Sequence, residues 1–252
     1  MSDIYLGIDV GGSSIKAGLV DVATGQLVGE IASAPTPQPA SPERVMATVA
    51  TLALQLPSSG PVGLAFPSVV KRGEARTAAH VDPHWIGTDG AALLKQTLGR
   101  PAAFINDADA AGLAEMSWGA GRGASGTVIM LTFGTGIGTA VFVDGKLLPN
   151  TELGHIELRG LDAEEWASAR IRTLERLDFN AWIARVNVYL ARLHALLWPD
   201  VFILGGAVSE HFAEFGSLLR SPAEIRPAQF GGQAGVLGAA LAAASLGGPS
   251  RT

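Results

Sequence analysis

Short apolar runs broken by glycine-rich turns recur along the chain, with longer stretches of helical periodicity between them. Residues 4–10, 15–22 and 26–32 read as three successive strands, the last two joined by a Thr24-Gly25 turn. A proline-rich connector over 34–42 leads into a helix over 43–56, and a buried strand over 62–66 ends at Pro67-Ser68. Thr88 or Asp89 can cap a helix reaching residue 98. A short strand over 102–105 follows, with an Ala-rich helix over 108–118 directly behind it. Strands over 127–133 and 139–143 come next, and Asp144-Gly145 signals a hairpin. Residues 162–177 read as one charged helix capped by Asp162, with Glu164 and Glu165 in its first turn. The helix over 180–197 carries an apolar stripe at Ile183, Val186, Leu190, Leu193 and Leu197. After a strand over 201–204, a nearly all-apolar helix over 235–246 closes the chain and has to be buried.

Three glycine turns carry candidate chemistry. Gly11-Gly12-Ser13-Ser14 joins two strands, so neither the P-loop nor the dinucleotide fingerprint, which need a following helix, is matched. Such a loop either makes an ordinary tight hairpin or turns its N–H groups and hydroxyls toward an anion, with Lys16 nearby. Asp9, at the strand end, can hold Mg2+. The device recurs at Gly134-Thr135-Gly136-Ile137-Gly138, which points to two halves facing one phosphate chain. Gly205-Gly206 is expected to open a helix and to receive a nucleotide or another anion.

Asn106 and Asp107 stand where the strand over 102–105 stops. Two roles suit them: capping the helix behind, or holding a substrate hydroxyl and accepting its proton. In Glu152-Leu153-Gly154-His155, the acid and the imidazole can flank one hydroxylated ligand or lie in a surface loop.

A chain of 252 residues, 48% apolar with 32 glycines, suits a compact α/β protein of one domain or two lobes. Cysteine is absent, which removes disulfides and thiolate metal sites and is compatible with a cytoplasmic setting. The net charge of -5 argues against a general nucleic-acid binder, and neither a signal peptide nor a membrane span is expected.

GIDVGGSSIKAG (7–18), FINDADAAGLAE (104–115), LTFGTGIGTA (131–140), ELGHIE (152–157) and ILGGAVSE (203–210) occur in this order. Together they resemble the ROK group of sugar kinases, and within it the polyphosphate-dependent glucokinases. The resemblance spans essentially the whole chain. It implies a two-lobed actin-like ATPase (ribonuclease H-like) fold with a cleft between the lobes, divided into 1–105 with 235–252, and 106–234. It also implies transfer of a phosphoryl group from polyphosphate or ATP to the 6-hydroxyl of glucose, with Mg2+, in a homodimer.

By that likeness Asp107 is the general base, and it binds glucose together with Ser68, Asn106, Glu152, His155 and Glu164, Glu165 lying one place off. Asp9, Gly11, Gly12, Ser13, Ser14 and Lys16 form one donor site. Gly134, Thr135 and Gly136 form a second, and Gly205 and Gly206 hold the adenosine end of ATP. The Cys/His zinc motif of the wider group is missing, as in the polyphosphate subgroup. Ser14, Ser68 and Ala207 replace the glycines usual there, and a Cβ hampers positive φ or close ligand approach. Those departures keep a non-catalytic sugar sensor as a rival reading; an ATP-dependent hexose kinase of the same group is another. A long polyphosphate needs a basic track, for which Lys16, Lys71, Arg72, Arg76 and Lys146 are candidates.

Overall fold

The computed structural model describes residues 3–79 and 81–247, which fall into two compact α/β units. One takes the chain up to Ala114 and resumes at Gln233, while the other runs Glu115–Gly232. The resemblance places the division at 105/106 and 234/235; the compact units part at 114/115 and 232/233.

In the first unit, β1 (Ile4–Val10) and β2 (Ser14–Asp21) form an antiparallel hairpin whose register sets Asp9 opposite Lys16. β2 also pairs with β3 (Gln26–Leu27) and β4 (Ala32–Pro35). The single strand expected over 26–32 is therefore two, broken near Gly29, whose φ of 86° leaves the strand region. β4 also reaches into the stretch expected to be an irregular connector. After α1 (Pro42–Leu54), β5 (Val62–Phe66) lies parallel to β1. A small hairpin of β6 (Val70–Lys71) and β7 (Glu74–Ala75) holds Lys71 and Arg72 at its tip. Asp89 caps α2 (Gly90–Leu98) by accepting the Ala92 N–H, and β8 (Ala102–Asn106) then runs parallel to β5. The main sheet order is β3-β2-β1-β5-β8, and α3 (Asp107–Trp118) follows β8 without a loop.

The C-terminal helix Ala234–Ser245 packs on β1 and β5 and is apolar on nearly every side. Small residues let its backbone approach: a Cβ on Gly63 would overlap the Ala239 carbonyl, and one on Gly238 would overlap that of Ala110. Gly63→Ala should therefore destabilise the first unit by about 1–3 kcal/mol, seen as a lower urea midpoint. An unchanged midpoint would show that the helix can shift to admit a methyl group.

The second unit repeats the plan. β9 (Thr127–Phe133) and β10 (Ile137–Val143) form a hairpin, extended by β11 (Lys146–Leu148) through the Asp144-Gly145 turn. A two-stranded piece, β12 (Glu157–Leu158) with β13 (Leu161–Asp162), follows. The helix expected over 162–177 is two, α4 (Ala163–Ala167) and α5 (Ala169–Leu174). They part at Ser168, whose extended backbone (φ -66°, ψ 161°) ends one helix while its hydroxyl accepts the Ile171 N–H and caps the next. α6 (Phe179–Leu197) buries Ile183, Val186, Leu190 and Leu193 against the sheet core. β14 (Val201–Gly205) then lies parallel to β9, and β15 (Glu224–Pro227) parallel to β14. Both units thus consist of an antiparallel hairpin with two further parallel strands added to its first strand. Behind β14 the chain forms a five-residue 3-10 turn, Ala207–His211, and the short α7 (Phe212–Phe215) instead of the helix expected to open at Gly206. Among the described residues no helix is long and apolar enough to cross a membrane.

Candidate active site

In the first unit, the hairpin puts Asp9 at the end of β1, half-buried, and no hydrogen bond reaches its carboxylate among the described residues. Burial raises its pKa from 3.8 to about 6, and Lys16 across the hairpin offsets only part of that. The carboxylate lies against the first turn of the C-terminal helix, where a Cβ on Gly235 would collide with it. The loop between β1 and β2 is drawn together by Gly11 N–H donating to Ser14 O (3.0 Å). Thr36 ties it to β4: its hydroxyl donates to Gly11 O (2.6 Å) and its N–H to Ser13 O (3.1 Å). Gly12 and Ser13 are left exposed.

At the end of β8, Asn106 is buried and does cap the helix, its Oδ1 accepting the Asp109 N–H (2.9 Å). Its Nδ2 donates to Ser68 O (3.1 Å), so both ends of the amide are held. Asp107 stands one place further on, half-buried in the first turn of α3, with Oδ1 accepting the Ala108 N–H (2.8 Å). The cap and the candidate base are thus neighbouring residues with separate tasks. Ser68 is 3% exposed, and its hydroxyl is bound to the Thr77 backbone: it donates to Thr77 O (2.8 Å) and accepts Thr77 N–H (3.2 Å). A hydroxyl so occupied supports Asn106 through the adjoining carbonyl.

In the second unit, the glycine loop Gly134–Gly136 is pinned by Glu164, whose Oε2 accepts the Ile137 N–H (3.1 Å) and lies where a Cβ on Gly136 would be. Glu165, by contrast, is exposed, so of the two adjacent acids it is Glu164 that reaches the loop. Glu152 and His155 sit on a 3-10 turn held to β10 by the buried Thr139, whose hydroxyl bonds to Thr151 O and accepts the Leu153 N–H (3.2 Å). Gly154 lets this turn touch the sheet, since a Cβ there would overlap Ile137 O.

His155 Nδ1 meets Asp162 Oδ2 at 2.9 Å, and Nε2 lies 3.7 Å from Glu152 Oε2. Asp162 therefore orients the imidazole instead of capping the helix expected to start there; it makes no cap hydrogen bond. Seven residues separate the pair, a spacing with no local pattern to flag it. The hydrogen bond to Asp162, and then the charges of Glu164 and Glu152, raise the His155 pKa, burial opposing them. Burial raises that of Glu152, Glu164 adding to the shift and His155 opposing it. Asp162→Asn should bring the His155 pKa down toward its ordinary 6.5 in an NMR titration of the imidazole. An unmoved titration would remove Asp162 as the cause.

Gly205 ends β14, and Gly206 adopts φ 83° where a Cβ would strike Phe133 O, so this glycine is required by the backbone. Ser14, Ser68 and Ala207 are absent from the left-handed region, so the side chains at these three positions impose no backbone strain there. Among the described residues no group of three or more His, Cys, Asp and Glu side chains is placed to hold a metal ion. Of the basic candidates, Arg76 pairs with Glu74 (3.0 Å), while Lys71, Arg72 and Lys146 are exposed on hairpins.

The ROK family profile matches residues 5–169. A polyphosphate glucokinase of Mycobacterium tuberculosis is 44% identical, over 94% of this chain and 89% of the relative. The crystal structure of an inorganic polyphosphate/ATP-glucomannokinase from Arthrobacter sp. strain KM superposes with a TM-score of 0.93 at 45% identity. That match covers 96% of this chain and 99% of the other. A ROK family glucokinase from Streptomyces griseus, solved with glucose and AMPPNP, gives a TM-score of 0.80 at 25% identity, covering 94% and 98% of the two chains. The chain shares with these structures the actin-like ATPase fold of two α/β units.

Proposed function

The chain belongs to the ROK family, and on that footing we propose that it is a glucokinase that phosphorylates the 6-hydroxyl of glucose from inorganic polyphosphate, and also from ATP. The observation that carries this reading is near-full-length similarity, at 44–45% identity, to proteins named for polyphosphate-dependent phosphorylation of glucose.

In this reading Asp107 accepts the proton of the C6 hydroxyl as that oxygen attacks the terminal phosphorus. The bond from that phosphorus to the rest of the donor breaks, and the shortened phosphate chain leaves with the electron pair. Asn106, Glu152, His155 and Glu164 hold the other hydroxyls of the sugar. Ser68 acts at one remove, keeping the Asn106 amide in place through its carbonyl. The loops at Gly11–Ser14 and Gly134–Gly136, with Lys16, receive donor phosphates, and Gly205-Gly206 serve the adenosine end of ATP. Phosphoryl transfer depends chiefly on placement and charge stabilisation, so few groups suffice.

Asp9 fits Mg2+: among the described residues its carboxylate has no hydrogen-bond donor, and burial disfavours its anion, which a cation would stabilise. Bound there, the ion would neutralise charge developing on the donor phosphates. A homodimer in the cytoplasm completes the reading.

A coupled assay for glucose 6-phosphate, run with polyphosphate and ATP in parallel, tests it. Product from both donors is expected. The absence of product from any hexose with either donor would return the chain to the sensor reading.

A further inference from the structure

The loop Gly134–Gly136 is held from one side by a residue outside every glycine motif. The Arg170 N–H donates to Gly134 O (3.0 Å), and its side-chain Nε–H donates to Thr135 O (3.3 Å). Gly134 N–H is used by Gly136 O (3.0 Å), and Ile137 N–H by Glu164. The N–H groups of Thr135 and Gly136 have no acceptor among the described residues. Two carbonyls of the loop are thus satisfied by one arginine, while two successive N–H groups and the Thr135 hydroxyl stay available to an outside anion.

The same arginine keeps the rest of its charge in hand. Its two terminal nitrogens make no hydrogen bond or ion pair among the described residues, and the side chain is exposed. Arg185 is committed to Glu175, Arg226 to Glu224, and Arg172 to the face of Phe179. A guanidinium fastened by Nε presents its remaining donors as a planar fork, the geometry that grips two oxygens of one phosphate.

We propose that Arg170 is a binding residue for the phosphoryl donor, gripping phosphate oxygens of a condensed phosphate chain beside the loop Gly134–Gly136. The proposal rests on the kinase reading above and adds to it a donor contact that none of the glycine motifs contains. The shared chemistry is the linear polyanion of polyphosphate and of the ATP triphosphate. A charge-assisted contact of this kind is lost in Arg170→Gln and weakened in Arg170→Lys, which keeps the charge without the fork.

The test measures KM for polyphosphate, ATP and glucose in the full-length wild type, Arg170→Gln and Arg170→Lys. Calorimetric titration with polyphosphate, without sugar, runs alongside. The expected result is a donor KM raised about ten- to a hundredfold in Arg170→Gln, with the Lys variant intermediate and the glucose KM unchanged. Polyphosphate affinity in the titration falls in parallel, and its dependence on salt weakens by about one unit of slope. A rise for polyphosphate alone assigns the contact to that chain; a rise for both donors assigns it to phosphates they share. Unchanged donor KM and affinity would overturn the proposal, as would equal losses for donor and glucose, which mark a mere clamp on the loop. If the wild type itself neither binds polyphosphate nor forms glucose 6-phosphate, the kinase reading fails first and takes this one with it.

Discussion

Asp107→Asn is expected to fold normally, to bind glucose and to lose at least about two decades of turnover. The substitution keeps the shape of the side chain and removes its capacity to take a proton. Helix α3 does not need the carboxylate for its start, because Asn106 supplies the cap by accepting the Asp109 N–H. A positioned general base contributes about 10²–10⁴-fold, equivalent to about 3–5 kcal/mol of the barrier. Steady-state rates with saturating polyphosphate, set beside a glucose titration of the same variant, separate chemistry from binding. Turnover near the wild-type value would remove Asp107 from the role. Loss of glucose binding together with turnover would make it a sugar ligand instead.

Asp9→Asn is expected to make the protein more stable and less active. Folding raises the Asp9 pKa from 3.8 to about 6, so the native state holds this proton more tightly than the unfolded chain does. The ionised carboxylate therefore costs stability. The cost is absent below pH 3.8, grows as the pH rises and is complete above about 6. At pH 7.5 it reaches about 3 kcal/mol at most. The neighbouring first turn of the C-terminal helix offsets some of it. Urea unfolding at the two ends of this window should show a gain for the variant at pH 7.5 that shrinks toward pH 4. Mg2+ should raise the stability of the wild type and not of the variant, if Asp9 holds the ion. A variant less stable than the wild type at pH 7.5 would contradict the picture of a desolvated, uncompensated carboxylate.

Stability given up at one carboxylate is the usual accompaniment of a site built for charge. His155 is the opposite case: a partner, Asp162, holds its imidazole and favours the protonated form. Its orientation by Asp162 and its proximity to Glu152 make a polar cluster on a turn that Thr139 and Gly154 hold tight against β10. His155 needs no ligand in order to be positioned.

Much of this architecture was legible in the chain itself. Apolar runs of strand length, each ended by glycine, located the hairpins of β1–β2 and β9–β10, because alternation and turn chemistry are local properties. The placement of Asn106 and Asp107 between β8 and α3 followed from an apolar run meeting good helix formers. The breaks were harder. Gly29 divides one expected strand, and the extended backbone at Ser168 divides one expected helix, although both stretches keep an unbroken pattern of side chains. The segment behind Gly206 also lacks periodicity, and its short 3-10 turn, α7 and β15 could not be read from it.

By itself, then, the sequence determined the order of the elements, the family motifs and the identity of the acids available for chemistry. Only the tertiary structure decided what those groups are free to do. It spent the Ser68 hydroxyl on Thr77, chose Glu164 over Glu165 for the glycine loop, moved Asp162 from a helix cap to His155, and set Arg170 against Gly134 and Thr135. The reason is physical: spacing along a chain fixes which face a side chain shares with its near neighbours. A hydrogen bond to a residue 27 or 35 positions away exists only once the backbone between them has folded.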